Sequence, residues 1–235
     1  MNEILFLIVF FLAFVLQTIT GFAGTVMAMP PAMLLLGMDN AKVVLNVMAG
    51  LSGLCIAAQN YKHINVKELL KMSGFMFLGV FAGLKIYQVL TVDSLLIIYG
   101  VIVVGIGLKN LFYQKKIKLN TLGSILILLV AGIIHGMFVS GGALLVIYAV
   151  NVLEDKDEFR ATVSPIWVIL NTYMLFSYTQ SGMVNTYNLK IIGMSMIPLI
   201  IALVIGNYLQ KKINQKIFLK LTYILLVVSG LSILV

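Results

Sequence analysis

The sequence predicts an all-α polytopic membrane protein made of two inverted repeats of five hydrophobic segments each, the first two of each half forming a broken or re-entrant hairpin. Three observations carry that prediction. Of the 235 residues, 61% are hydrophobic and 10% charged, a balance outside the range of soluble domains. The charges gather at the ends of apolar runs. Those runs also fall into two series that resemble each other. About 20 apolar residues cross a bilayer as a helix, so the chain has room for roughly eight to ten spans. It has no polar stretch that could fold as a separate domain.

The apolar runs lie at about 4–20, 22–38, 43–60, 68–90 and 94–113, then at about 119–138, 141–153, 161–180, 188–209 and 217–235. The start of the chain lacks a basic n-region and a small-x-small cleavage pattern, so the first run is expected to be retained. Gly21-Phe22-Ala23-Gly24 in the first series answers Phe138-Val139-Ser140-Gly141-Gly142 in the second, each about 18 residues before a basic residue, Lys42 or Arg160. Gly79-x-x-x-Gly83 answers Ala202-x-x-x-Gly206, small residues at the spacing that lets membrane helices touch. The order is the same in both halves, which sets the expected repeats at 1–118 and 119–235 within one membrane domain.

The first two runs of each half either cross once or go in and come back, and the lysines discriminate. If 4–38 and 119–153 both return, Lys62, Lys67, Lys71, Lys109, Lys115, Lys116, Lys118, Lys156, Arg160, Lys211, Lys212, Lys216 and Lys220 share one face, and Lys42, Lys85 and Lys190 the other, 13 against 3. Single crossings give 8 against 8. The positive-inside rule therefore favours returning hairpins, a cytoplasmic basic face and both termini extracytoplasmic. Each half then crosses an odd number of times, so the second is upside down relative to the first.

Irregular backbone at membrane depth is tolerated where protein or a wet cavity satisfies it, and paired breaks in inverted halves are a sequence pointer to a transporter's binding site. A returning half-helix begins with bare N–H groups and the positive end of its dipole, which suits an anion, and glycine lets the ligand approach. The candidate substrate-binding residues are Gly21, Phe22, Gly24 and Thr25 in the first turn, Ser140, Gly141 and Gly142 in the second, and Asn46, His135 and Asn171 lining the space between them. Ser140 is a candidate N-cap or direct donor, with Thr25 its counterpart. Pro30-Pro31 leaves open a helix that begins only there, with 21–29 extended. His135 is a proton relay, an anion ligand or a hydrogen-bonded structural residue. Gln17, Thr18, Thr20, Ser52, Gln59, Thr162 and Ser164 are read first as helix-to-helix hydrogen bonds, and Trp167 as bundle packing. The glycines could also serve helix contact alone.

The same residues exclude other chemistry. All eight acids, Glu3, Asp39, Glu68, Asp93, Glu154, Asp155, Asp157 and Glu158, sit at segment ends, so no catalytic residues and no metal site are expected, and no cofactor. The net charge of +8 belongs to segment ends facing lipid headgroups and does not imply nucleic acid. Cys55 has no partner cysteine. The expected partners are a small anionic substrate and the bilayer, with a homo-oligomer allowed.

Thr20-Gly21-Phe22-Ala23-Gly24 running to Pro30, and His135-Gly136-Met137-Phe138-Val139-Ser140-Gly141-Gly142 followed by Leu144-Leu145-Val146-Ile147-Tyr148, resemble the sulfite exporter TauE/SafE family. The resemblance covers essentially the whole chain. It implies a bacterial inner-membrane permease for sulfur oxyanions or organosulfur compounds such as sulfite, sulfonates or thiosulfate, with the substrate near the two motifs. Ala23, Thr25 and Ala143 depart from the family's denser glycine runs and its following proline, which bears on the substrate more than on the fold. The rival class is a non-transporting membrane subunit or assembly factor.

Overall fold

A computed structural model of the chain describes residues 1–112, 120–153 and 155–212, with Ile224, Val227 and Leu231. The predicted segment 217–235, the boundary at 118/119 and Lys115, Lys116, Lys118, Glu154, Lys216 and Lys220 lie outside the described residues, apart from those three positions.

The helices are α1 (Asn2–Thr20), α2 (Ala23–Leu36), α3 (Met38–Asn60), α4 (Val66–Val89), α5 (Val92–Phe112), α6 (Thr121–Phe138), α7 (Gly142–Val152), α8 (Lys156–Gln180) and α9 (Thr186–Gln210), with a short 3-10 turn at Tyr61–His63. Among the described residues there is no strand. Polar side chains cap the helices that begin in loops: Asn65 accepts from the Glu68 amide, Asn120 from Gly123, Asp155 from Asp157 and Glu158, and Asn185 and Asn188 form a reciprocal capping box. The amides of Glu158 and then Asp157 hold the Asp155 carboxyl below its ordinary pKa.

α3 and α8 begin earlier than composition suggests, at Met38 rather than 43 and at Lys156 rather than 161. The polar residues there read as loop, but acids in a first helical turn complement the helix dipole, and Asp39 and Asp157 occupy that turn. Lys42 is thus carried inside α3 and fully buried, rather than left at the interface. α2 runs straight through Pro30 and Pro31. Proline removes the hydrogen bond to the carbonyl four residues back. The carbonyl freed by Pro30, that of Val26, is met at 3.4 Å by the Tyr99 hydroxyl.

Among the described residues, five helices are long and apolar enough to cross a membrane: α1, α3 with its 3-10 extension, α4, α6 and α9. At 14 and 11 residues, α2 and α7 rise about 21 and 16 Å, short of a hydrocarbon core of about 30 Å. Side-chain polarity is turned inside out for water. Ile197 and Val204 are 69% and 66% exposed while Asn46, Thr162 and Ser164 are entirely buried, the distribution that a lipid solvent imposes.

The packing interleaves the two series: α4 lies along α6, α1 along α9, and α3 along α8, with α2 against α1 and α3 and α7 against α6. The paired small-residue motifs explain the first two contacts. A Cβ at Gly79 or Gly83 would overlap the carbonyls of Leu129 or Ile133 on α6, and one at Gly132 would overlap Met76 on α4. A Cβ at Gly206 would overlap Thr18 on α1. Backbones this close leave no room for a methyl group. Gly132→Ala is therefore expected to destabilise the protein by about 1–3 kcal/mol, whereas Gly74→Ala, with nothing within 4 Å of the added carbon, is expected to be neutral or slightly stabilising. Unfolding midpoints of the two variants in detergent check this.

Candidate functional site

Each of the two breaks follows a helix that ends in a left-handed residue. α1 ends at Gly21, φ 83°, whose amide donates to the Gln17 carbonyl at 2.7 Å. α6 ends at Val139, φ 55°, whose amide donates to the His135 carbonyl at 2.7 Å. Glycine takes that conformation freely. A β-branched residue there is strained, and persists only where its surroundings over-determine it. Val139 is fully buried.

The residue whose carbonyl closes each turn also sends its side chain forward to the returning helix. Gln17 Oε1 accepts from the Gly24 amide at 2.8 Å, and His135 Nδ1 accepts from the Gly141 amide at 3.3 Å. Thr20 Oγ1 takes the Ala23 amide at 3.2 Å. With Nδ1 accepting, the proton of the imidazole is on Nε2, which donates to Asn171 Oδ1 at 2.9 Å. Asn46 Nδ2 in turn donates to the Asn171 carbonyl at 3.0 Å. Asn46, Asn171, His135 and Gly141 therefore form one chain of hydrogen bonds.

The N-terminal ends of α2 and α7 touch. Phe22 carries its carbonyl under Gly142, where an added Cβ would lie 2.9 Å from it. Ser140 Oγ lies 3.0 Å from the Phe138 carbonyl, 3.3 Å from the Thr25 carbonyl and 2.9 Å from the Tyr99 hydroxyl. Ser140 does not cap α7, contrary to expectation: the left-handed Val139 turns its hydroxyl across to α2, and His135 serves the first amide instead. Likewise Thr25 offers α7 its carbonyl, while Thr20 and Gln17 cap α2. All ten predicted site residues are buried: Asn46, Asn171, His135 and Gly141 share one hydrogen-bonded chain, Ser140 meets Thr25 and Gly142 meets Phe22, while Gly21 and Gly24 bond to Gln17 and Trp167 instead.

Sequence reasoning missed three residues of this arrangement. Gln17 was read as one of several helix-to-helix polar groups, Trp167 as packing, and Tyr99 was not singled out. Trp167 Nε1 donates to the Gly21 carbonyl at 2.6 Å and its ring lies 5.1 Å from that of His135. The usable signal was spacing: Gln17 and His135 both stand four residues before a turn. No group of three or more metal-ligating side chains occurs among the described residues.

Chemically, the arrangement brings two positive helix ends together. Such a meeting is unfavourable unless acceptors intervene. Gln17, Thr20 and His135 are those acceptors. Trp167→Phe keeps the ring but removes the 2.6 Å donor of the Gly21 carbonyl, leaving it the longer 3.4 Å contact from Gln17 Nε2, and is expected to cost about 1–3 kcal/mol. A thermal unfolding series against wild type in the same detergent measures it.

No curated protein and no solved structure matches the chain. The family described as sulfite exporter TauE/SafE matches residues 5–233, nearly the full length. With five membrane-length helices and interleaved packing in place, the match is decisive: the chain belongs to the sulfite exporter TauE/SafE family of multi-pass membrane transporters.

Proposed function

We propose that this protein is a secondary transporter of a small anion, of the sulfur-oxyanion or organosulfur type (sulfite, sulfonate or thiosulfate), resident in the bacterial inner membrane. It works by alternating access between two inverted repeats, 1–118 and 119–235, with α1–α2 and α6–α7 as re-entrant hairpins entering from opposite sides and both termini extracytoplasmic. The observation that carries this reading is the contact between two returning helix N-termini whose first amides are held by the protein's own side-chain acceptors. Those acceptors, Gln17 Oε1 and His135 Nδ1, occupy positions that an anion's oxygens would take. Exchange of side-chain acceptor for substrate leaves no amide bare at any stage, which keeps the cost of binding and release low.

The interleaving of helices supports the two-half reading, because first contacts fourth in both directions, α1 with α9 and α6 with α4. Asn46 Oδ1 and Asn171 Nδ2 are buried without partners among the described residues, an acceptor and a donor, respectively, beside His135. Uncharged ligands of this kind suit a substrate that must leave again. The rival reading, a non-transporting subunit, draws on the same self-capped turns, since amides already satisfied need no ligand.

Proteoliposomes separate the two. Wild-type protein is expected to carry labelled sulfite, methanesulfonate or thiosulfate, and Asn171→Leu, which removes the partner of His135 and the reserve donor, is expected to lower that flux at least about tenfold. Wild-type binding without flux across this panel supports the non-transporting subunit instead.

A further inference from the structure

Five buried side-chain atoms have no hydrogen-bond partner among the described residues: Lys42 Nζ, Asn46 Oδ1, Ser52 Oγ, Asn171 Nδ2 and Tyr178 Oη. Buried polar groups are normally paired, and an unpaired one calls for an explanation. All five belong to α3 or α8, the two helices that pack against each other at the centre of the bundle.

Their order along those helices is not random. Asn46 reaches Asn171, so α3 and α8 are aligned at that level. One turn towards the start of α3 stands Lys42, and two turns towards the end of α8 stands Tyr178, with Lys42 Nζ 5.4 Å from the Tyr178 ring centroid. Beyond this pair opens a cavity of about 340 Å³ lined by Asp39, Tyr87, Ser177, Tyr178, Ser181 and Met183, among others. Four of the five, all but Ser52 Oγ, thus run from the floor of a cavity to the Asn46–Asn171–His135 chain.

Lys42 is fully buried, and its ammonium lies 2.9 Å from the centroid of the Tyr87 ring. The Tyr87 hydroxyl is itself bonded to the carboxylate of Asp39, which is exposed at the rim of the cavity. Tyr87 therefore stands as a plate between the cavity and the lysine, latched at the rim. An ionisable side chain at such depth is costly to keep and calls for a named partner. The aromatic face supplies part of one, but it cannot accept the three hydrogen bonds of an ammonium.

We infer that Lys42 Nζ and Tyr178 Oη form an outer binding site for a small oxyanion, occupied between the cavity and the Asn46–Asn171 level, with Tyr87 as its gate and Asp39 as the latch. The inference rests on the anion-transport reading above and assigns the charge that reading lacked. The ammonium supplies a charge-assisted bond to one oxygen, the phenol a second donor. Asp39 at the rim repels an anion that stops short, so the site lies below it. Displacement of the Tyr87 ring exposes Lys42 to the cavity, and its return closes the anion off from outside.

The test uses the full chain in phospholipid-free detergent for binding of sulfite and methanesulfonate, and in proteoliposomes for flux. Lys42→Met is expected to weaken binding at least about tenfold, with Lys42→Arg restoring most of it. Tyr178→Phe removes a hydroxyl with no partner among the described residues, so the anion-free unfolding midpoint is expected to stay put while anion affinity falls about three- to tenfold. Tyr178→Phe decides the matter if Lys42→Met does not fold. Wild-type affinity and flux in Tyr178→Phe and in any folded Lys42→Met overturn the outer site and leave the transporter reading intact. Absence of both binding and flux in wild type overturns the reading itself, and the site with it. A phospholipid that copurifies with wild type, is lost in Lys42→Met and leaves flux unchanged would assign the pocket to a lipid headgroup and overturn the inference.

Discussion

Two interruptions of the helical backbone, after Thr20 and after Phe138, lie among buried residues, and the amides and carbonyls freed there need partners. The rest of the structure follows from how that requirement is met. Trp167 on α8 supplies the donor for the Gly21 carbonyl on α1, and Arg160 on α8 donates to the Thr18 carbonyl at 2.7 Å and to Asn207 on α9 at 2.5 Å. A first-series turn is thus completed by second-series side chains. Tyr99 on α5 performs the converse service at Ser140. Each turn meets its amides from its own segment but also draws a partner from another helix, Trp167 at the first and Tyr99 at the second, which ties hairpin formation to assembly of the bundle.

The two turns solve one problem with different chemistry. Gln17 and His135 hold equivalent places, each with its carbonyl closing a left-handed cap and its side chain reaching the next helix. The amide of Gln17 is locally self-sufficient: its Nε2 also reaches the Gly21 carbonyl at 3.4 Å. The imidazole instead extends outward through Asn171 to Asn46. A disturbance at the second turn therefore reaches the α3–α8 interface, where the unpaired polar atoms sit, whereas one at the first turn is absorbed nearby. The second turn also carries the strained Val139.

Much of this was legible in the sequence, for identifiable reasons. The nine described helices follow the apolar runs because a lipid solvent leaves little choice of secondary structure. The Gly79–Gly83 and Ala202–Gly206 motifs mark true backbone contacts because a small residue is the one way to achieve them. Asn46, His135 and Asn171 are grouped by type and depth as lining one space, but their hydrogen bonds, Asn46 to the Asn171 carbonyl and His135 to Asn171 Oδ1, are not legible in the sequence. What stayed hidden depends on side-chain direction. Gln17 looks like any intramembrane glutamine until the left-handed Gly21 brings Gly24 back over it. Lys42 looks like an interface lysine because Asp39 and Asn40 beside it read as loop, although Gly37 lets α3 begin immediately and takes the lysine inside. Ser140 reads as an N-cap by residue type, yet the torsion at Val139 points it at the opposite helix.

The central claim is that Gln17 and His135 are stand-ins for an anion at two facing helix ends. A structure determined with the full chain in saturating sulfite or methanesulfonate tests it most directly. The account predicts density for the anion between the two turns, within hydrogen-bonding distance of the Gly24 and Gly141 amides, with at least one of the Gln17 and His135 side chains moved off its amide. An anion bound elsewhere in a transport-competent protein, with both side chains still seated on those amides, would contradict it.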